Sequence, residues 1–360
     1  MRRALAWVIG LTLALAILGA LLFQVPAVQD ALVRRVVARA VAASADDLFR
    51  EDALRVVLCG TSAPLPHPTR AKACTAVFAA GRFWIVDTGP GSWNRLALWH
   101  VDGKRIGAVL LTHFHSDHIG ELGEYNLQTW GAGRPEPLRV FGPPGVERVV
   151  AGFDEAYALD MRYRIAHHGA DFLPESAAHM QARPIKATEG AGPVLVLEEG
   201  GLRITAFPVD HRPIVPAYGY RFDYRGRSVV VSGDTVKSPA LVAAAHGADV
   251  LVHEAQANHL VAAIGEAAAA IGRDRIAKIM HDIPSYHTTP VQAAEVANEA
   301  GVRLLVLSHL NPPPPNRIVE RLFVRGVSRV RPDGWILGDD GLAVELPEGS
   351  NALTVTHLKE

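Results

Sequence analysis

Three histidines and an aspartate crowd into His113-Phe-His115-Ser-Asp117-His118, four potential metal ligands within six residues. Neutral imidazole is the commonest metal-binding side chain, and a carboxylate adds charge to hold a divalent ion. The run follows an apolar stretch, residues 106–111, that reads as a short buried strand, and it ends at Gly120. Alternation after a strand points His113 and His115 the same way. The tighter Asp117-His118 turn presents two further ligands nearby. Left unligated, so many polar groups beside a buried strand would carry a heavy desolvation cost. The pattern is that of a metal site.

Three later residues supply what such a site still lacks. His211 follows the strand-like residues 202–209, Asp234 sits in Val231-Ser-Gly-Asp-Thr235, and His309 ends Leu305-Val-Leu-Ser-His309. Each closes an aliphatic or β-branched run, so each is expected at one rim of a sheet. Together these motifs resemble the metallo-β-lactamase superfamily and, in order and flanking residues, its ribonuclease Z and arylsulfatase-type branch. The likeness runs over residues 54–346.

The resemblance implies two divalent ions, most simply zinc given a His-rich N/O ligand set. His113, His115 and His211 would hold one ion; Asp117, His118 and His309 would hold the other, with Asp234 bridging. Asp87, in Ile85-Val-Asp-Thr-Gly89, matches the aspartate that orients the ligand loop without touching metal. His287 in Ser285-Tyr-His-Thr-Thr289 matches the segment that supplies a proton to the leaving group. Glu254 in Val252-His-Glu-Ala255 is its natural carboxylate partner, and His253 is either a site residue or a packed strand-end histidine. Asp117 would also orient the attacking hydroxide. Thr289-Pro290-Val291-Gln292 reads as a capping box with proline at the first helical position, so a helix is expected through residues 292–300.

The elements that must position these residues are strands alternating with helices. The clearest strands are residues 55–58, 76–79, 83–86, 108–111, 138–141, 194–197, 218–222, 228–231, 250–252 and 304–307. That mixture implies an α/β layered fold. The resemblance refines it to a four-layer αβ/βα sandwich with the metals at one edge. Trp93, Trp99 and Trp130 read as packing residues.

Residues 4–23 form an apolar stretch after Met-Arg-Arg, interrupted only by Thr12. It is long enough to span a bilayer, and no small-x-small cleavage site follows it. An uncleaved anchor is favoured over a cleaved signal, with the catalytic domain outside the cytoplasm (membrane-facing or released to the periplasm). The expected division is 1–25 anchor or signal, 26–52 juxtamembrane segment with a polar-faced helix at 28–49, 53–346 hydrolase domain, and 347–360 tail. Two cysteines, Cys59 and Cys74, fall at the end of one strand and the start of the next. A hairpin could join them, but two free buried thiols are the favoured reading.

With 36 Lys+Arg against 37 Asp+Glu, no long basic stripe appears. The 23 positions from His211 to Asp234 hold only a hairpin, residues 218–222 and 228–231 around Tyr224-Arg-Gly226. The tRNA-processing branch usually carries a long arm in that interval, and its P-x-K-x-R-N loop is here Pro66-His-Pro-Thr-Arg-Ala-Lys72. These points lead to an expected partner that is a small anionic or aryl ester, with no nucleic acid, and with ribonuclease Z-type tRNA 3′ processing as the alternative. A polar cluster of Arg164, His167 and His168, in an insertion after Gly145, either faces such an anion or is an ordinary surface loop. A homodimer is compatible with the sequence.

Overall fold

The computed structural model describes residues 2–188, 190 and 192–359; Met1 and Glu360, the ends of the expected anchor and tail, lie outside them. The chain divides into two compact units, residues 1–44 and 45–360.

The first unit holds the helices Arg2–Phe23 and Pro26–Ala42. Within the first, Leu5–Phe23 is long and apolar enough to cross a bilayer, and none of it is buried by protein. Thr12 is no obstacle, because its hydroxyl donates to the carbonyl of Val8 one turn back. The expected helix over 28–49 stops at Ala42. A separate short turn, Asp46–Phe49, then sends Leu48 and Phe49 into the core of the second unit. Phe49 stands edge-on to Phe78 and Phe83, which is why an apolar pair ends a polar-faced segment.

Among the described residues the second unit contains fifteen strands. They are β1 (Ala53–Gly60), β2 (Cys74–Ala79), β3 (Arg82–Val86), β4 (Ile106–Leu110), β5 (Leu138–Gly142), β6 (Met180–Pro184), β7 (Val194–Glu199), β8 (Leu202–Val209), β9 (Ala217–Tyr224), β10 (Arg227–Val231), β11 (Val250–Gln256), β12 (Leu304–Asn311), β13 (Trp335–Leu337), β14 (Leu342–Pro347) and β15 (Thr354–His357). Each expected strand falls inside one of these, apart from Leu111, which lies one residue past β4. They make an eight-stranded sheet, ordered β15-β14-β1-β2-β3-β4-β5-β6, and a seven-stranded sheet, ordered β13-β12-β11-β10-β9-β8-β7. Each sheet is antiparallel at one end and parallel at the other, and helices cover the parallel crossovers.

Alternation along single strands builds the layers. In β1, Leu54, Val56 and Leu58 face the core between the sheets, packing with Trp84, Tyr220 and Phe222, while Val57 and Cys59 face the outer helices. In β11, Val250 and Val252 face inward and Leu251 and Ala255 outward, against Ala293 and Val296 of the helix Pro290–Glu299. Strands buried on both faces read as unbroken apolar runs, which made them easy to find. Each such Val or Leu contributes about 1.5–3 kcal/mol through burial. The result is the αβ/βα sandwich.

Two boundaries differ from expectation. The compact unit begins at Ala45 rather than 53, and the tail after 347 adds edge strand β15, paired to β14 from Leu342↔His357 to Glu345↔Thr354. The cysteines also differ: Cys59 and Cys74 form a disulfide, not two free thiols. A register shift between β1 and β2 sets Gly60 opposite Cys74 and brings the neighbouring Cys59 within a Cα–Cα distance of 5.0 Å. That range suits a bridge.

Candidate metal centre

Every ligand type singled out in the sequence arrives at the same rim from the end of a strand. His113, His115, Asp117 and His118 follow β4, His211 follows β8, Asp234 follows β10, and Asp87 follows β3. His309 lies within β12. Pairing runs Glu254↔Ser308 and then Ala255↔Leu310, so His309 is the extra residue of a bulge, with φ at 45°. Bulges re-aim side chains, and this one turns His309 out of the ladder toward the other ligands.

The ligand atoms fall into tight groups. His113, His115 and His211 form one, and Asp117, His118 and His309 another, each with its ligand atoms within 4.8 Å of one another. Asp234 stands between them: its Oδ2 lies 4.0 Å from His113, 3.5 Å from His118 and 3.8 Å from His211, and its Oδ1 3.5 Å from His309. All but the half-exposed His115 are buried.

Second contacts fix which ring nitrogen is available. His118 donates from Nδ1 to Asp87 Oδ2 at 2.7 Å, and His211 donates from Nδ1 to the Tyr286 carbonyl at 3.0 Å. In the neutral form both rings therefore present a bare Nε2. Asp87 also accepts from the Thr112 amide and hydroxyl, both at 2.8 Å, so it locks the start of the ligand loop. Asp87 itself adopts φ 61°, a left-handed conformation tolerated at few non-glycine sites and concentrated at functional ones.

The electrostatics ask for a cation. Burial, with the neighbouring His118, His211 and His115, holds the His113 imidazole well below its usual range and therefore neutral. Burial would raise Asp117, but His118 and His309 hold its carboxyl down at about 2. Burial likewise opposes ionisation of Asp234, yet His309, His118 and His113 keep it well below the usual carboxylate range. Burial also lowers His115 and His211, while against burial Asp234, Asp87 and Asp117 hold His118 well above its usual range. Neutral His113, His115 and His211 beside ionised carboxylates are what a divalent ion binds. The decisive test is the unmet groups: His211 Nε2, Asp234 Oδ1 and His309 Nδ1 are buried with no hydrogen-bond partner. His118 Nε2 faces His309 Nε2 at 3.2 Å. The residues fit a divalent metal centre.

His287 joins the same cluster. Thr289 caps the helix Pro290–Glu299 through the expected box with Gln292, which places His287 just before the helix. Its Nδ1 lies 2.9 Å from Glu254 Oε1 and 4.0 Å from Asp234 Oδ2. Burial would lower its pKa, but the charge and hydrogen bond of Glu254, with Asp234 behind, raise it to about 9. Glu254 is held in turn by the amides of Thr235 and Thr288. Tyr286, which sequence reasoning passed over, packs against both His211 and His287 with ring centroids at 5.2 and 4.8 Å. Its position beside His287 in the chain was the available signal.

Other candidates fall elsewhere. Alternation sends His253 to the face of β11 opposite Glu254, fully buried, its Nδ1 donating to the Glu254 carbonyl. Arg164, His167 and His168 lie in the last turns of a 23-residue helix, Val146–His168, rather than in a loop. They are exposed, Arg164 pairs with Asp160 of the preceding turn at 2.7 Å, and no contact joins them to the ligand cluster. Trp99 and Trp130 are buried as expected.

Comparison with known proteins places these features in a wider set. Residues 82–310 match the family described as the Beta-lactamase superfamily domain. The Ribonuclease Z of Mycobacterium avium (strain 104) is 38% identical over 262 residues, covering 72% of this chain and 86% of that protein. The Ribonuclease Z of Mycobacterium bovis (strain BCG / Pasteur 1173P2) is 39% identical over 263 residues, with the same coverage. Among solved structures, the metallo-β-lactamase fold protein YhfI from Bacillus subtilis aligns with a TM-score of 0.57 at 19% identity, over 82% of this chain and 100% of that one. Human tRNase Z, short form, aligns at 0.56 with 20% identity, over 81% and 99%. At such identities the structures speak to fold.

The relatives overturn one expectation. A small anionic or aryl ester, with no nucleic acid, does not agree with relatives of this closeness that are named as ribonucleases. The hairpin between His211 and Asp234 is as short as the sequence implies, β9 turning directly into β10 at Arg225-Gly226. Its shortness bears on how a substrate is gripped, and net charge averages over a whole surface. Neither describes the metal centre itself.

Proposed function

The chain belongs to the metallo-β-lactamase superfamily of metal-dependent hydrolases and is related to ribonuclease Z, and from that premise we propose that it cleaves RNA phosphodiesters as a ribonuclease Z-type endonuclease, with tRNA 3′ ends the substrate its relatives' name suggests. The relatives' identity over 86% of their own length is the observation that carries this reading.

Two divalent ions, most simply zinc, would be held by the two ligand groups with Asp234 between them. Bound there, they supply a nucleophile by lowering the pKa of water and neutralise charge on a phosphate. The chain's own residues do the rest. Asp117, ionised and beside His118 and His309, orients the attacking water. His287 enters as imidazolium and gives the proton of its other ring nitrogen to the departing sugar oxygen, while Glu254 holds the ring in place. Asp87 keeps His118 in the ligating tautomer.

Leu5–Phe23 serves in this reading as a membrane anchor. The test is cleavage of a 3′-extended tRNA and an unstructured RNA by the full chain with zinc, against Asp234→Ala. Metal-dependent scission lost in the variant is expected; no scission of either RNA, with zinc or manganese, overturns the proposal.

A further inference from the structure

A cavity of about 600 Å³ opens beside the metal centre without including any of its ligands. Its walls are the end of β8, the loop that follows it, Ala187, Gly190, Gly192 and Pro193 between β6 and β7, and the helix Pro239–Ala244. That volume lies within the range of small-molecule sites, about 300–1,000 Å³.

Among the described residues the lining is almost wholly hydrocarbon: proline, valine, alanine, glycine and Phe207, with Asp210, Arg212 and Ser238 as the side chains able to hydrogen-bond. Asp210 and Arg212 are already spent on each other, with contacts of 2.9 and 2.5 Å. A nucleobase or phosphate placed here would lose its water and find few partners in exchange, which opposes its entry. The cavity is therefore no part of an RNA path. A hydrocarbon or fused-ring body loses nothing on entry.

Its position matters as much as its chemistry. His211 lies between the wall residues Asp210 and Arg212, and the helical wall begins at Pro239, shortly after Asp234. Those two segments are tied together, the Val236 amide donating to the Asp210 carbonyl at 2.9 Å and the Asp210 amide to the Thr235 hydroxyl at 3.2 Å. An occupant would press on the chain segments that place two of the ligands.

We infer that this cavity is a second ligand site, for an apolar small molecule, that adjoins the metal centre and is separate from it. Residues 45–360 suit the test, since every core cluster lies within that unit. The zinc-loaded protein is titrated with 1-anilinonaphthalene-8-sulfonate, followed by fluorescence. Saturable binding at one probe per chain is expected. Ala243 and Ala240 are exposed on the cavity wall, so larger side chains there fill the space without entering the core. Ala243→Trp should weaken the probe by about tenfold or more, by steric exclusion, with an unchanged melting curve. Ala240→Phe repeats the test should the tryptophan disturb folding. No saturable binding, or undiminished affinity in a variant that melts like the parent, overturns the inference. Because the readout is binding, it stands or falls separately from RNA cleavage.

Discussion

Replacing Glu254 by glutamine isolates the charge that keeps His287 protonated. Glutamine retains a carbonyl oxygen for the Thr235 and Thr288 amides, so the loop keeps its hydrogen bonds. What is lost is the negative charge 2.9 Å from His287 Nδ1. With His287 at about 9, about 97% of it is imidazolium at about pH 7.5. Returned to the ordinary value of about 6.5, about 9% would be, and burial pushes it lower still. The acid form is present below the pKa and lost as pH rises through it. Glu254→Gln should therefore lower kcat about tenfold or more near neutral pH, and move the alkaline limb of the profile from about 9 to about 6.5 or below. The assay is kcat against pH for scission of an end-labelled RNA at saturating zinc, with Glu254→Asp as the charge-preserving control. A kcat reduced equally at every pH, with the limb unmoved, would show that Glu254 only supports the loop and that His287 is not the acid.

Two further outcomes follow from contacts around the site. Asp87→Ala removes the acceptor of the His118 ring and of Thr112, so metal affinity should fall roughly 10–100-fold in competition with a chromogenic chelator; undiminished affinity would remove Asp87 from the positioning role. Cys59→Ser opens a bridge spanning 15 residues and should cost about 3 kcal/mol. Scanning calorimetry should then show Tm lower by roughly 5–10 °C, and an unchanged Tm would mean that β1 and β2 need no staple.

The metal ligands were legible because their types are rare beside apolar strands. A histidine or aspartate within three residues of Val-Leu-Leu or Val-Val-Val has few structural reasons to be there. The central strands were legible for a related reason, being buried on both faces. What stayed hidden depends on register or on distant partners. The Cys59–Cys74 bridge turns on a shift in β1–β2 pairing that no single strand encodes. Leu48 and Phe49 are apolar residues in a polar context, and only Phe78 and Phe83 explain them. The helix Val146–His168 buries only Val146, Val150 and Met161, so its face is too thin to separate it from a loop by pattern. Edge strand β15 is exposed along its length and shows no alternation at all.

The ligand set is split across the chain as well as across the sheets. Asp117 and His309 meet at 3.2 Å, yet 192 residues separate them in sequence. A ribosome adding about 5–20 residues per second takes about 10–40 s to cover that distance. Throughout that interval the histidines of the first loop are made but have no partner from β12. His211 and Asp234 are made within it, so the group of His113, His115 and His211 is complete in sequence before the group that needs His309. Capture of an ion by Asp117, His118 and His309 would therefore follow docking of β12, and would close a loop of nearly two hundred residues. An ion that binds only the folded chain stabilises it by mass action. An ion held by Asp117, His118 and His309 would bind only after β12 is in place.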